Sequence, residues 1–171
     1  MRDFSKYIRN IPDFPKLGIQ FKDITPLLSD PQVFREAIQA MAAPFKDRGV
    51  QYIASVDARG FIFGGAMAYM MNAGFVPIRK KGKLPYKTYE VSYDLEYGSN
   101  VLTIHQDAFP RGSKVLICDD VLATGGTALA TAQLVEKLDG EVVGITFLAE
   151  LTDLRGREKL RGYEVYSLIA F

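Results

Sequence analysis

Hydrophobic positions along the middle of this chain follow two alternating patterns. Short apolar-rich runs at Tyr52–Val56 and Phe75–Ile78 predict strands; the unbroken Val115–Cys118 predicts one buried on both faces of a sheet, and Val142–Leu148 another buried strand. Stretches with helical spacing lie between them. Phe34, Ile38, Met41 and Phe45 form one apolar face behind Asp30-Pro31, an N-cap acid followed by a proline at the first helical position. Pro44 should disturb the last turn of that helix, and Gly49 ends it. Residues from Phe61 to about Asn72 are apolar on most sides, which predicts a well-buried helix closed by Gly74, with Gly64 and Gly65 allowing close packing. A further helix follows Thr127; Leu134 and Leu138 continue its apolar face and Gly140 ends it.

From Thr88 to Gln106 the pattern changes to period two, with Tyr89, Val91 and Tyr93 alternating with polar residues before Gly98-Ser99-Asn100. This predicts a projecting β-ribbon of two antiparallel arms, a natural lid. Arg155–Leu160 reads as a charged helical turn and Tyr163–Ala170 as an edge strand. Asp3–Asn10 reads as a short helix broken by Pro12 and Pro15, after which the chain is extended and turning up to residue 29. Strands that alternate with helices predict an α/β fold: a mostly parallel central sheet flanked by helices, in one domain over residues 1–171.

Composition narrows the function. A net charge of +1 gives no global basic field for nucleic acid, so an anionic substrate must be met by local charge. The single cysteine, Cys118, excludes an internal disulfide and lies in a buried run, where a core thiol is expected. No apolar run is long enough to span a membrane, and a reducing cytoplasm is the expected compartment. His105 is the only histidine, so a zinc site has no support and the residue reads as structural or exposed.

The candidate chemistry lies in Lys114–Ala130, KVLICDDVLATGGTALA. A buried strand ends at Asp119 and Asp120; then Ala123-Thr124-Gly125-Gly126-Thr127 leads into an alanine-rich helix. The glycines let several N–H groups converge, the helix adds its positive end, and Thr124 and Thr127 add hydroxyl donors. Together these make a phosphate cup. Two carboxylates beside it suit the two hydroxyls of a ribose, with a divalent metal nearby. In a parallel sheet, Asp57-Ala58-Arg59-Gly60 and the cations of Arg79-Lys80-Lys81-Gly82-Lys83 end at the same rim. A molecule with a 5-phosphate at one end and a diphosphate at the other fits that layout.

VLICDDVLATGGT resembles the phosphoribosyl pyrophosphate (PRPP) motif of the type I phosphoribosyltransferases. Nearly the whole chain resembles the adenine-specific branch of that family, through PDFPKLGIQFKDITPLL, DARGFIFG, IRKKGKLP, YDLEYG and LRGREKL. The resemblance implies a small N-terminal hood over residues 1–29 and a flexible ribbon lid over 84–107. It implies transfer of the 5-phosphoribosyl group from PRPP to N9 of adenine, giving AMP and diphosphate, a purine salvage reaction. By the same resemblance Asp119 and Asp120 hold the ribose, and Ala123, Thr124, Gly125, Gly126 and Thr127 hold the 5-phosphate. Arg59, Arg79, Lys80 and Lys83 serve the diphosphate, Arg79 or Lys80 across a dimer interface. Phe21 stacks on the purine, and backbone groups around Gln20 and Lys22 read its edge. Glu96 is the family's proton donor or acceptor at the purine, and Arg59 assists the leaving group. Mg2+ is the implied cofactor, bound with the substrate rather than by dedicated protein ligands; Asp119 and Asp120 reach it through ribose or water. A homodimer is implied, with no nucleic-acid or membrane partner. The chain departs from the common pattern in carrying Lys22 for arginine and Gln20 for a small apolar residue. Transfer to hypoxanthine or xanthine, or a PRPP-sensing regulator without catalysis, remains the alternative. A kinase or GTPase does not, because no glycine-rich loop ends in Gly-Lys-Ser/Thr.

Overall fold

A computed structural model describes residues 2–94 and 99–171. The N-terminal region differs from the expected helix over Asp3–Asn10. Only Phe4–Tyr7 forms a 3-10 turn, capped by the Asp3 carboxylate on the Ser5 N–H. The next residues are β1 (Arg9–Pro12), paired antiparallel with β2 (Gln20–Asp23). A short α1 (Thr25–Ser29) follows; Asp23 accepts hydrogen bonds from the Thr25 N–H and hydroxyl at its start. The longer α2 (Pro31–Ala42) starts where the Asp30-Pro31 signal places it, with the Asp30 carboxylate accepting from the N–H groups of Gln32 and Val33.

The remaining elements are β3 (Tyr52–Val56), α3 (Arg59–Met71), β4 (Gly74–Lys80), β5 (Thr88–Asp94), β6 (Ser99–His105), β7 (Lys114–Leu122), α4 (Gly126–Lys137), β8 (Glu141–Glu150) and β9 (Val165–Ala170). Among the described residues they form one seven-stranded sheet in the order β5-β6-β4-β3-β7-β8-β9. The pairs β4–β3, β3–β7, β7–β8 and β8–β9 are parallel, whereas β5–β6 and β6–β4 are antiparallel. The ribbon is therefore not free along its length: Thr103 and Leu102 pair with Arg79 and Lys80, and Leu102, Thr103 and Ile104 are buried.

Consecutive strand residues face different cores, as fully buried strands must. Leu116 packs with Met41, Phe45 and Phe63 on the α2/α3 side, and Ile117 packs with Leu134, Val135 and Phe147 on the α4 side. Helix α3 departs from the expectation in two ways. It is closed by Asn72 in the left-handed region (φ 54°), two residues before Gly74. Gly74 stands instead at the start of β4, where the Tyr52 ring takes the place of a side chain; a Cβ added to the glycine would lie 2.6 Å from that ring. Only one face of α3 is buried; Ile62, Met70 and the 92% exposed Tyr69 lie on the surface. Gly64 does pack tightly, onto Ser55, but Gly65 meets nothing.

The chain continues from β3 to β4 on one side and later returns as β7 on the other. That divergence makes a topological switch point between β3 and β7, and ligands of open α/β sheets bind at the carboxyl ends of such strands.

Candidate active site

At the switch point β7 is longer than its neighbour. It pairs with β3 only up to Ser55–Cys118, but with β8 as far as Leu122–Glu150. Asp119 and Asp120 therefore do not end the strand, as their polarity suggests; they lie inside it, on the stretch that outruns β3. Their side chains leave from opposite faces. Asp119 is half-buried, and its Oδ1 accepts from the Asp120 N–H at 2.9 Å. A Cβ on Gly60, in the first turn of α3, would lie 2.6 Å from that oxygen, so the glycine leaves room for the acid. Burial, and then the Asp120 charge, push the Asp119 carboxyl well above the ordinary carboxylate range. Burial likewise raises the neighbouring Cys118 thiol, which is inert as a nucleophile.

Asp120 is 6% exposed. Arg59 Nε stands 2.7 Å from its Oδ2, a charge contact out of line for a hydrogen bond, so Oδ2 has no hydrogen-bond donor among the described residues. The Arg59 guanidinium also lies over the Phe21 ring, 5.4 Å from its centre. One side chain thus links the acidic pair to the β1–β2 hairpin.

The cup follows. Gly125 has φ 81° and precedes α4, whose first turn has no side-chain cap among the described residues, so its N–H groups are placed to meet a ligand. Ala123, Thr124, Gly125, Gly126 and Thr127 line a small cavity of about 70 Å³. An adjoining cleft of about 380 Å³ brings together Arg59, Lys80, Asp119, Asp120, Thr127 and Tyr93. A third cavity, about 270 Å³, lies beside β2 between Gln20, Phe21, Lys22 and Leu151; it shares Arg59 and Asp120 with the cleft.

The other expected residues are placed differently. Arg79 donates from Nε to Asp57 Oδ2 at 2.7 Å and from Nη1 to the Lys83 carbonyl at 3.0 Å, so it braces the Asp57 turn and does not line the cleft. Arg79 and Lys80 belong to β4 rather than to a loop, and the Lys83 side chain is exposed beyond it. The Lys22 ammonium lies over the Phe171 ring at 4.2 Å. Gln20 accepts from Asn10 across the hairpin. Glu96 lies outside the described residues. His105 is half-buried with its ring edge-on to Tyr86, and its Nε2 has no partner among the described residues. Leu151 carries no signal in the sequence, and Tyr93 stands out only as a ribbon residue and the first of YDLEYG; each reaches the site through a long-range contact that no local pattern encodes.

Among the described residues no group of three or more His, Cys, Asp or Glu side chains is placed to hold a metal alone. The acidic pair nevertheless fits magnesium. That ion binds through one or two carboxylates and substrate phosphates; Asp119 lines the cleft half-buried, while Asp120 Oδ2 is buried against the Arg59 charge, so the pair suits an ion held with the substrate rather than by the protein alone.

A family model for the phosphoribosyl transferase domain matches residues 24–169. The chain is 56% identical over 169 residues to the adenine phosphoribosyltransferase of Pseudothermotoga lettingae, covering 99% of both. The crystal structure of adenine phosphoribosyltransferase from Thermoanaerobacter pseudethanolicus superposes with a TM-score of 0.95 at 53% identity, over 99% of this chain and 98% of that one. The Saccharomyces cerevisiae enzyme, solved with an imino-altritol bisphosphate and adenine, superposes with a TM-score of 0.92 at 38% identity, over 97% and 96%. The chain therefore belongs to the phosphoribosyltransferase family, in its adenine phosphoribosyltransferase branch.

Proposed function

We propose that this chain transfers the 5-phosphoribosyl group of PRPP to N9 of adenine, forming AMP and diphosphate, with the cleft between β3 and β7 as its active site. The observation that carries this reading is the sharing of Arg59 and Asp120 by the cleft and the hood cavity. A sugar in the first and a base in the second meet at one point. Membership in the adenine branch supports adenine as the base.

In this reading the cup residues 123–127 hold the 5-phosphate, and Asp119 and Asp120 accept from the ribose hydroxyls. N9 attacks the anomeric carbon as the bond to diphosphate breaks. The bonding electrons leave with diphosphate, the sugar passes through an oxocarbenium-like state, and configuration inverts from α to β. Arg59 and Lys80 stabilise the leaving charge from the protein side, with Lys83 from the turn beyond β4; Arg79 or Lys80, on β4, serves the diphosphate across a dimer interface. Glu96 exchanges the purine proton. Magnesium, held with the substrate and reached by Asp119 and Asp120 through ribose or water, supplies further neutralisation of the leaving group. Phe21 supports the base, and the backbone near Gln20 and Lys22 reads its edge. A correct donor-acceptor pair there rejects hypoxanthine by leaving its polar atoms unpaired. Residues 1–29 act as the hood and 84–107 as the lid, within a single domain.

The apolar surface of α3 and β4, with Ile62, Tyr69, Met70 and Phe75 exposed, supports a homodimer covering that face. A lone buried thiol supports a reducing cytoplasm. No helix among the described residues is long and apolar enough to cross a membrane.

The test is formation of the corresponding nucleoside monophosphate from PRPP and magnesium over a panel of adenine, hypoxanthine, xanthine and guanine, with a chelator control. Adenine should be used far faster than the others, and the chelator should abolish turnover. Product from hypoxanthine at an equal rate, or PRPP binding without turnover on any base, would overturn the reading.

A further inference from the structure

The LRGREKL stretch folds against the back of the cup. After β8, Arg155 turns the chain in the left-handed region (φ 52°) and Gly156–Leu160 forms a 3-10 turn. Gly125 and Gly156 meet there backbone to backbone. A Cβ on Gly125 would overlap the Gly156 carbonyl oxygen and lie 3.3 Å from the Lys159 Cβ. A Cβ on Gly156 would overlap the Ala123 carbonyl oxygen and lie 2.9 Å from Leu122 Cδ1. Neither contact leaves room for a methyl group, so the position of this turn sets the position of the cup loop.

The turn is itself clamped. Arg157 Nε donates to both oxygens of Glu150 at 2.9 and 2.8 Å; its other nitrogens reach the Val165 carbonyl at 2.9 Å and Ser167 Oγ at 3.2 Å. The Glu150 side chain is only 8% exposed, and Leu160 is buried in the α4 core. Arg157 therefore fastens the turn to β8 and β9 while lining neither the cup nor the cleft.

We propose that the turn Gly156–Leu160 is the outer wall of the phosphate cup and that Arg157 is a positioning residue for the 5-phosphate. This rests on the reading of the cup given above. A clamped wall keeps the first-turn N–H groups of α4 and the Thr127 hydroxyl aimed at one point before the ligand arrives. Displacing such a wall by a fraction of an ångström misplaces the donors without removing any of them.

The experiment compares Gly156→Ala, Arg157→Lys and Arg157→Ala with the parent protein. Ribose 5-phosphate and pyrophosphate binding are measured by calorimetry, alongside KM for PRPP and adenine and the melting temperature. Gly156→Ala is expected to weaken ribose 5-phosphate by roughly tenfold to a hundredfold and to raise KM for PRPP in parallel. Pyrophosphate affinity and KM for adenine should stay at parent values. Arg157→Lys should show a smaller loss of the same selective kind, and it carries the arginine test if Arg157→Ala does not fold. Folded variants with parent affinity for ribose 5-phosphate overturn the proposal, as does an equal loss for every ligand that tracks melting temperature. If the parent binds pyrophosphate but not ribose 5-phosphate, the cup reading falls and this proposal with it.

Discussion

The phenol oxygen of Tyr93 lies 3.3 Å from Thr127 Oγ1, so the first arm of the ribbon touches the first turn of α4. At the other end of that helix Lys137 donates to the Glu90 carbonyl at 2.9 Å. The arm is laid along α4, and a phosphate that takes the Thr127 hydroxyl must compete with Tyr93 for it.

Tyr93→Phe removes this link, a neutral hydrogen bond of about 1 kcal/mol. Amide exchange in Thr88–Asp94 of the free protein should accelerate roughly fivefold, as expected for a loss of that size. Hydrogen exchange read by mass spectrometry checks this. An unaltered rate would mean that the remaining contacts hold the arm.

Asp119 gives a pH dependence with a definite sign. Its ordinary pKa is 3.8, and in the fold burial and Asp120 raise it. Between the two values the native state keeps a proton that the unfolded chain has released. Stability therefore falls as pH rises through that window. Asp119→Asn stays neutral, so without ligand it should melt higher than the parent above the window and match it below. The same change should weaken ribose 5-phosphate. Melting curves across pH, for both proteins, test the claim; parallel curves would contradict it.

Gly60→Ala places a methyl group 2.6 Å from the original position of Asp119 Oδ1, so the carboxylate must move. The fold should survive, because the clash is with a side chain. Steady-state kinetics should show kcat/KM for PRPP falling by about a hundredfold, the usual scale for misplacing a binding group by about 1 Å. A near-normal value would show that Asp119 tolerates displacement.

Arg59→Lys keeps the charge near Asp120 but gives up the flat guanidinium over Phe21. Loss of a cation–π contact of about 0.5–2 kcal/mol should destabilise the packing of the hood. The expected outcome is a several-fold rise in KM for adenine as well as for PRPP, measured in the same AMP assay. An effect confined to PRPP would separate the hood from this arginine.

The strands are legible in the sequence where burial on both faces leaves an unbroken apolar run, as at Val115–Cys118 inside β7, and Tyr52–Val56 matches its observed ends despite the buried Ser55. Helix α2 is legible from its cap and first-turn proline. The burial of α3 is overstated by its sequence, because composition does not say whether an apolar surface meets the core or stays outside. The acidic pair reads as a strand end for a similar reason. Polarity interrupts the local pattern there, but the ladder to β8 continues past it. The hairpin of β1 and β2 is hidden because its pairing joins residues across a proline-containing turn. In the site, the cup and the acids stand out as contiguous residues. Tyr93, Gly60 and Gly156 lie in motifs the sequence singles out, but their roles do not show there, since each acts through a neighbour far along the chain.

Strands β1 and β2 share no ladder with the seven-stranded sheet; they pair only with each other. The segment beside the base cavity is thus a graftable appendage, while the groups facing sugar and phosphates are embedded in the main scaffold. Exchanging residues 9–23 for the hairpin of a relative with another base preference breaks no pairing of that sheet, but it replaces Phe21, on which Arg59 rests. Selectivity in this architecture can drift through hairpin changes that keep an aromatic ring under that arginine.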